Sequence, residues 1–364
     1  MPPPAARPQP RADILAIDAY TPGKSAAPGA GKTYKLSSNE SPVGPSPQAM
    51  AAYAKAAGGL ALYPDGGSLA LKDALAAKFG LDLSGVMCGN GSDELLGLIA
   101  QTFLSPGDEG LYSQFGFLSY PIAIRAAGGV PVVAPERDLT ADVDALLARV
   151  SDKTRVVFLA NPNNPTGAML PRASLERLHA GLPPQVLLVI DAAYAEYVAD
   201  ADYEPGRALV ERHENVVMTR TFSKAYGLAG VRLGWMYAKP FVIDAINRIR
   251  GPFNVNSAAQ AAGVAALADE AHLAMAVAHN ARWAPWVAGQ VSALGLVVAP
   301  SRGNFVLIRF RNADEAARAD AALTAAGFVL RGMGAYGLPD CLRLSIGDEE
   351  ANVGVVAALK RVVG

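Results

Sequence analysis

The sequence predicts an α/β protein with a large, mostly parallel central sheet covered by helices, followed by a small α+β unit. Three observations predict it. From about residue 81 to 238, short apolar runs alternate with amphipathic stretches. The runs are apolar throughout rather than at every second position, as in strands buried on both faces of a parallel sheet. After residue 241 the pattern turns helical, then gives way to a different order of strands and helices.

Taken in order, residues 1–12 are proline-rich and read as a disordered tail, with no apolar stretch of the signal-peptide kind. Residues 13–45, rich in Pro, Gly and Ser, read as an extended arm that joins the small domain. The large domain is expected over 46–270. Its candidate strands are 85–88, 110–113, 130–134, 155–160, 186–190, 216–219 and 233–238, with amphipathic helices at 95–103, 117–127 and 172–179. Residues 241–294 read as helical. The small domain, 271–364, then shows strands at 295–299, 304–309, 329–331 and 342–346, a helix at 313–326 and a closing helix from Glu349.

Composition narrows the function. Hydrophobic residues make up 51 % of the chain and charged residues 18 %, against about 25 % charged in an ordinary soluble domain. Such a chain has a large core and apolar surface that a second copy could cover. A net charge of -1 and the lack of a basic cluster argue against nucleic acid. No run reaches the length and apolarity of a membrane span. Cys88 and Cys341 stand far apart and outside any CxxC, and the four histidines form no metal-ligand spacing. No disulfide or metal centre is expected, and the thiols suit the cytoplasm.

Ligands of open α/β sheets bind beyond the carboxyl ends of the strands, and polar signals gather there. The run at 155–160 leads into Asn161-Pro162-Asn163-Asn164-Pro165-Thr166-Gly167. The run at 186–190 leads into Asp191-Ala192-Ala193-Tyr194, and Val216-Val217-Met218 leads into Thr219-Arg220-Thr221-Phe222-Ser223-Lys224, with Arg232 beyond. A fourth, 85–88, leads into Gly89-Asn90-Gly91-Ser92. Each has a bland reading. A single strand-end Asp is more often a cap or surface residue, and Asn-Pro-Asn-Asn-Pro alone is a tight turn. Gly-Asn-Gly-Ser alone is a weak phosphate signal, and Asp93 and Glu94 would repel an anion unless their side chains turn away.

Together the four suit a cofactor with an aldehyde, a pyridine nitrogen, a phenolic oxygen and a phosphate. Lys224 offers the amine, its pKa lowered by a neighbouring cation such as Arg232. Asp191 offers a carboxylate to keep the ring nitrogen protonated. Asn161 and Tyr194 offer donors to the phenolic oxygen. Backbone N–H groups after Gly91, with Thr221, Ser223 and Arg232, offer a phosphate cradle.

These stretches resemble the fold type I pyridoxal-phosphate (PLP) aminotransferases, and within them the histidinol-phosphate aminotransferases. Leu36–Pro42, Tyr63-Pro64-Asp65, Gly89–Glu94 and Cys341–Gly347 extend the resemblance over about residues 13–364. It implies an aspartate aminotransferase-like fold with a large PLP-binding domain. It implies that Lys224 forms the Schiff base, Asp191 pairs with the pyridine nitrogen, and Asn161 and Tyr194 contact the phenolic oxygen. Gly91, Ser92, Asp93, Thr221, Ser223 and Arg232 would hold the phosphate, and Phe115 would stack on the ring. Tyr63 would reach the cofactor of a second subunit, making a homodimer with shared sites. Arg343 would grip the substrate's anionic group, near Arg331, Asn39 and Tyr20. The stacking residue is commonly tyrosine in such enzymes, and Ser41 stands where the early motif carries a second asparagine.

The activity so implied is ping-pong transfer of an amino group from histidinol phosphate to 2-oxoglutarate, in histidine biosynthesis. An aromatic amino-acid aminotransferase would share every cofactor residue. A PLP-dependent decarboxylase of an amino-acid phosphate and a PLP-binding module without turnover are more distant alternatives.

Overall fold

The structure, a computed structural model, describes residues 8–27, 29 and 31–363. Residues 1–7, on which most of the expected tail falls, lie outside the described residues. A seven-stranded sheet forms the centre. Its strands are β1 (Val86–Gly89), β2 (Glu109–Ser113), β3 (Val130–Ala134), β4 (Thr154–Ala160), β5 (Leu187–Asp191), β6 (Val216–Thr221) and β7 (Gly234–Ala238). They lie in the order β1-β7-β6-β5-β4-β2-β3, and only β7 runs antiparallel to its neighbours.

Strand alternation explains why these runs are apolar throughout. Along β4, Val156 and Phe158 enter one buried cluster, while Val157 and Leu159 enter another. The first cluster is closed by helices α1 (Ser92–Phe103) and α2 (Ser119–Ala126), through Leu95, Leu96, Ile99, Tyr120 and Ile124. The second is closed in part by α3 (Ser257–Ala268), through Ala259, Ala262 and Ala266. Buried on both faces, the sheet fixes the carboxyl ends of β4, β5 and β6 side by side. Ala160 is in register with Asp191, and Asp191 with Thr219.

A second, antiparallel sheet follows the long helix α4 (Glu270–Ser292). Its strands are β8 (Val297–Ala299), β9 (Phe305–Arg309), β10 (Arg331–Gly332) and β11 (Cys341–Ser345), in the order β8-β9-β11-β10. The single strand expected at 329–331 is divided, because the chain changes partner there. Phe328–Val329 pairs in parallel with Tyr34–Lys35 of the N-terminal segment, whereas Arg331–Gly332 pairs with β11. Residues 11–24 cross from one sheet system to the other. Arg11 donates to the carbonyl of Ala126 in α2 (2.9 Å), and Lys24 pairs with Asp320 (2.9 Å).

Among the described residues no single helix is long and apolar enough to cross a membrane. The pair α3 and α4 is apolar enough only when joined, and it bends by 77°.

Candidate active site

A cavity of about 260 Å³ opens at the carboxyl ends of the large sheet and is closed by the small sheet and the N-terminal segment. Lys224, Asp191, Tyr194, Thr221, Ser223, Ser92, Asp93 and Arg232 line it, together with Tyr20, Asn39, Arg331 and Arg343.

Asp191 is the last residue of β5 and is buried. Its carboxylate accepts from the Tyr120 hydroxyl (3.1 Å) and the Thr219 hydroxyl (3.2 Å). Burial nevertheless pushes its pKa up to about 6. A carboxylate held in so dry a place is stabilised by any cation brought opposite it. Lys224 follows β6, and its Nζ donates to the Ser38 carbonyl (3.1 Å). Burial lowers its pKa to about 8, with Arg343 the next cause. Arg232, the cation expected to do this, contributes the least of the causes, because its guanidinium is turned to Asp93 (3.3 Å) and is half exposed.

The cradle lies where β1 turns into α1. Gly91 precedes the helix with φ of 85°, and no side chain caps the helix, so its first N–H groups are free for an anion. A Cβ on Gly91 would sit 2.5 Å from Arg232 Nη2, and one on Gly234 would collide with Ser92 N. Both glycines keep that approach open. Thr221 donates to Ser223 (3.0 Å), and Arg232 Nη1 reaches the same Ser223 oxygen (3.4 Å). Glu94 turns away, accepting from Asn90 N–H and the Asn254 amide. Asp93 stays on the wall and is balanced by Arg232.

Tyr194 follows β5. Its hydroxyl accepts from Asn39 Nδ2 (2.9 Å), which leaves its own proton to donate. Asn39 is in turn fixed by Ser345 of β11, whose hydroxyl donates to its side-chain oxygen (2.9 Å). Arg331 and Arg343 occupy paired positions across β10 and β11. Like charges placed opposite each other on a sheet repel, and an anion between them would relieve that. Arg343 is buried. It donates to Asn164 and to the Ser37 carbonyl (2.8 Å), and its Nε has no partner among the described residues. Arg331 donates to the Thr21 carbonyl (2.7 Å) and lies over the Tyr20 ring (5.7 Å).

Three expected residues are placed elsewhere. Asn161 lies behind the wall, its amide exchanging two hydrogen bonds with the Leu170 backbone (3.1 and 2.8 Å). Phe115 packs with Leu307, Met333 and Tyr336, while the neighbouring Phe117 lines the cavity together with the rings of Tyr20, Tyr194 and Tyr336. Tyr63 is 82 % exposed, stacks on Phe253 (4.6 Å) and does not line its own chain's cavity.

The family model for aminotransferase class I and II matches residues 32–359. The chain belongs to that family. This aminotransferase is 57 % identical over 344 residues to the histidinol-phosphate aminotransferase of Rhodospirillum centenum, covering 93 % of this chain and 94 % of that one. It is 53 % identical to the protein of the same name from Rhodopseudomonas palustris, over 97 % of this chain and 98 % of the other. The crystal structure of a Sinorhizobium meliloti histidinol-phosphate aminotransferase, in complex with pyridoxal-5'-phosphate, superposes with a TM-score of 0.90. It is 31 % identical and covers 99 % of this chain and 98 % of that one. A Thermus thermophilus aspartate aminotransferase shares the fold, with a TM-score of 0.85 at 24 % identity over 98 % of this chain and all of the other.

The aminotransferase site includes residues that sequence reasoning missed. Thr219 stood in the polar signal without a role, and that role could have been found, since it lies two residues before Thr221 and so on the same face of β6. Tyr120 and Phe117 carry no such mark. Tyr120 of α2 reaches the site by stacking on Phe158 of β4 (5.2 Å), and Phe117 stands just before the same helix.

Proposed function

We propose that this protein is a pyridoxal-phosphate-dependent histidinol-phosphate aminotransferase, transferring the amino group to 2-oxoglutarate in histidine biosynthesis. The observation that carries the reading is the convergence of three groups on one cavity. They are a half-buried lysine amine, a buried carboxylate and an uncapped helix N-terminus. Identity of 57 % and 53 % to proteins of that name supports the substrate.

The residues fit the cofactor group by group. Ser92 and Asp93 N–H groups, Thr221, Ser223 and Arg232 hold the phosphate. Asp191 holds the proton on the pyridine nitrogen, and Tyr194 donates to the phenolic oxygen, with Asn161 supporting from behind. Phe117 supplies a ring on the wall where Phe115 was expected. Pyridoxal phosphate supplies an aldehyde that joins an amine and a ring that draws electrons from the adjoining carbon. Lys224 Nζ, once free, takes the proton from the carbon bearing the donor's amino group. Burial favours this by keeping the amine's pKa near 8. Arg343 and Arg331 bind the anion of either substrate, since a guanidinium fork accepts phosphate and carboxylate alike. Asn39 and Tyr20 shape the space beside them.

The protein works as a homodimer in the cytoplasm. Leu60, Leu62 and Tyr63, close in the chain, are all exposed, as expected of a surface that a second copy covers. Tyr63 then serves the partner's cofactor. A donor screen with 2-oxoglutarate, following glutamate, tests the reading. Histidinol phosphate should exceed phenylalanine by at least about 100-fold in kcat/KM. Equal rates would overturn the substrate, and no glutamate from any donor would overturn the chemistry.

A further inference from the structure

One buried ion pair takes no part in this chemistry. Arg220 Nη2 donates to Glu196 Oε1 at 2.7 Å, and the two side chains are only 7 % and 6 % exposed. The rings of Phe79 and Trp235, stacked on each other, both lie beside the guanidinium, at 5.2 and 5.6 Å from its carbon. Neither ion is fully satisfied: among the described residues, Arg220 Nε and Glu196 Oε2 are buried without a hydrogen-bond partner. Taking two charges out of water costs several kcal/mol per ion, and apolar residues of similar volume often serve stability as well or better. Stability alone does not account for this pair.

Its place in the chain does. Arg220 sits on β6, one residue before Thr221 and four before Lys224, and opposite Trp235 of β7. Glu196 sits in the short helical turn Ala195–Tyr197, which starts at Tyr194 and is closed by Tyr197 N–H donating to Tyr194 O (3.0 Å). β5 and β6 stay paired as far as Asp191 and Thr219, and Ala192 N–H still reaches Thr219 O (2.9 Å). Past that point one segment carries Tyr194 and the other carries Lys224. The ion pair ties them together directly beyond the last ladder bond.

We propose that Arg220 and Glu196 form a positioning clamp, which fixes the Tyr194 hydroxyl relative to Lys224 and touches neither substrate nor cofactor. The inference rests on the reading that Lys224 carries pyridoxal phosphate. A donor to the phenolic oxygen lowers the proton affinity of the lysine-linked chromophore, so a loosened Tyr194 must raise its pH midpoint.

The test replaces the pair with apolar residues, Arg220→Met with Glu196→Leu, alongside Glu196→Gln alone. Thermal unfolding is measured on each, and absorbance is titrated against pH on the cofactor-loaded proteins. The double variant should melt within a few degrees of wild type. Its chromophore midpoint should rise by about half a pH unit or more. Its kcat should fall about tenfold, with KM for the donor changed less than about threefold. Glu196→Gln should move the midpoint the same way by a smaller amount. A folded double variant with an unmoved midpoint and normal kcat would overturn the clamp. If the double variant does not fold, an unmoved midpoint in Glu196→Gln overturns it, and so does the failure of both variants to fold. Wild-type protein with no chromophore would instead overturn the cofactor reading and this proposal with it.

Discussion

The two walls of the cavity are built differently. The floor is the carboxyl edge of the large sheet, where Asp191, Thr221 and Lys224 stand at or just beyond adjacent strand ends held in register by backbone ladders. The roof comes from the N-terminal segment and the small sheet, where the side chains of Asn39, Arg331 and Arg343 are tied by single hydrogen bonds across long stretches of chain, the two arginines standing on the paired strands β10 and β11. Asn39 bonds to Ser345, Arg331 to Thr21 and Arg343 to Ser37. Ladders buried on both faces resist displacement, whereas single hydrogen bonds contribute only about 1 kcal/mol each. The floor suits a cofactor that stays in place, and the roof suits substrates that come and go.

The sharpest way to break that contrast is to remove the floor's nucleophile. Lys224→Ala should abolish the lysine-linked absorbance band and lower turnover by at least about 10⁴-fold, because capture and proton transfer both go. The sheet should be unaffected, so thermal unfolding of the cofactor-free variant should stay within a few degrees of wild type. Normal turnover in this variant would end the mechanism.

A cut in the roof should read differently. Arg343→Gln is expected to lower kcat/KM about 10²- to 10³-fold for donor and acceptor alike, the loss of a buried charge-assisted pair. Chromophore uptake should be retained. Arg343→Lys should restore little, since a point charge does not reproduce the planar fork. A variant that lost the cofactor as readily as the substrate would show that roof and floor are one unit.

The same contrast decided what was legible in the sequence. Floor residues directly follow uninterrupted apolar runs, so strand and site were read from one signal, and β3 at Val130–Ala134 has the bounds expected of it. The cause of the shift at Lys224 was misjudged: burial is the largest part of it, and of the two arginines the fold gives Arg343 more effect than Arg232, which sequence proximity favoured. Tyr120 was missed altogether, for its hydroxyl reaches Asp191 across 71 positions of chain. Tyr120→Phe tests whether that reach matters. Losing one of two side-chain donors to a buried carboxylate should weaken cofactor affinity about tenfold. Unchanged affinity would reduce Tyr120 to core packing against Phe158.

A change read in stability sharpens the comparison most, because it separates what the floor does for folding from what it does for the cofactor. In the cofactor-free protein Asp191 keeps its proton up to about pH 6, whereas in the unfolded chain an aspartate loses it near pH 4. Between those values the native state binds more protons than the unfolded one. The free energy of unfolding therefore falls as pH rises from about 4 to 6, and stays lower above. Asp191→Asn removes this cost. The cofactor-free variant should match wild type near pH 4 and exceed it at pH 8 by on the order of 2–3 kcal/mol, a few degrees in Tm. With pyridoxal phosphate added at pH 8 the order should reverse, since only the carboxylate gains a cationic ring nitrogen as its partner. Thermal melts at the two pH values, with and without cofactor, check both halves. A variant no more stable than wild type at pH 8 would mean that water already reaches the carboxylate, and that the floor is not as dry as its burial implies.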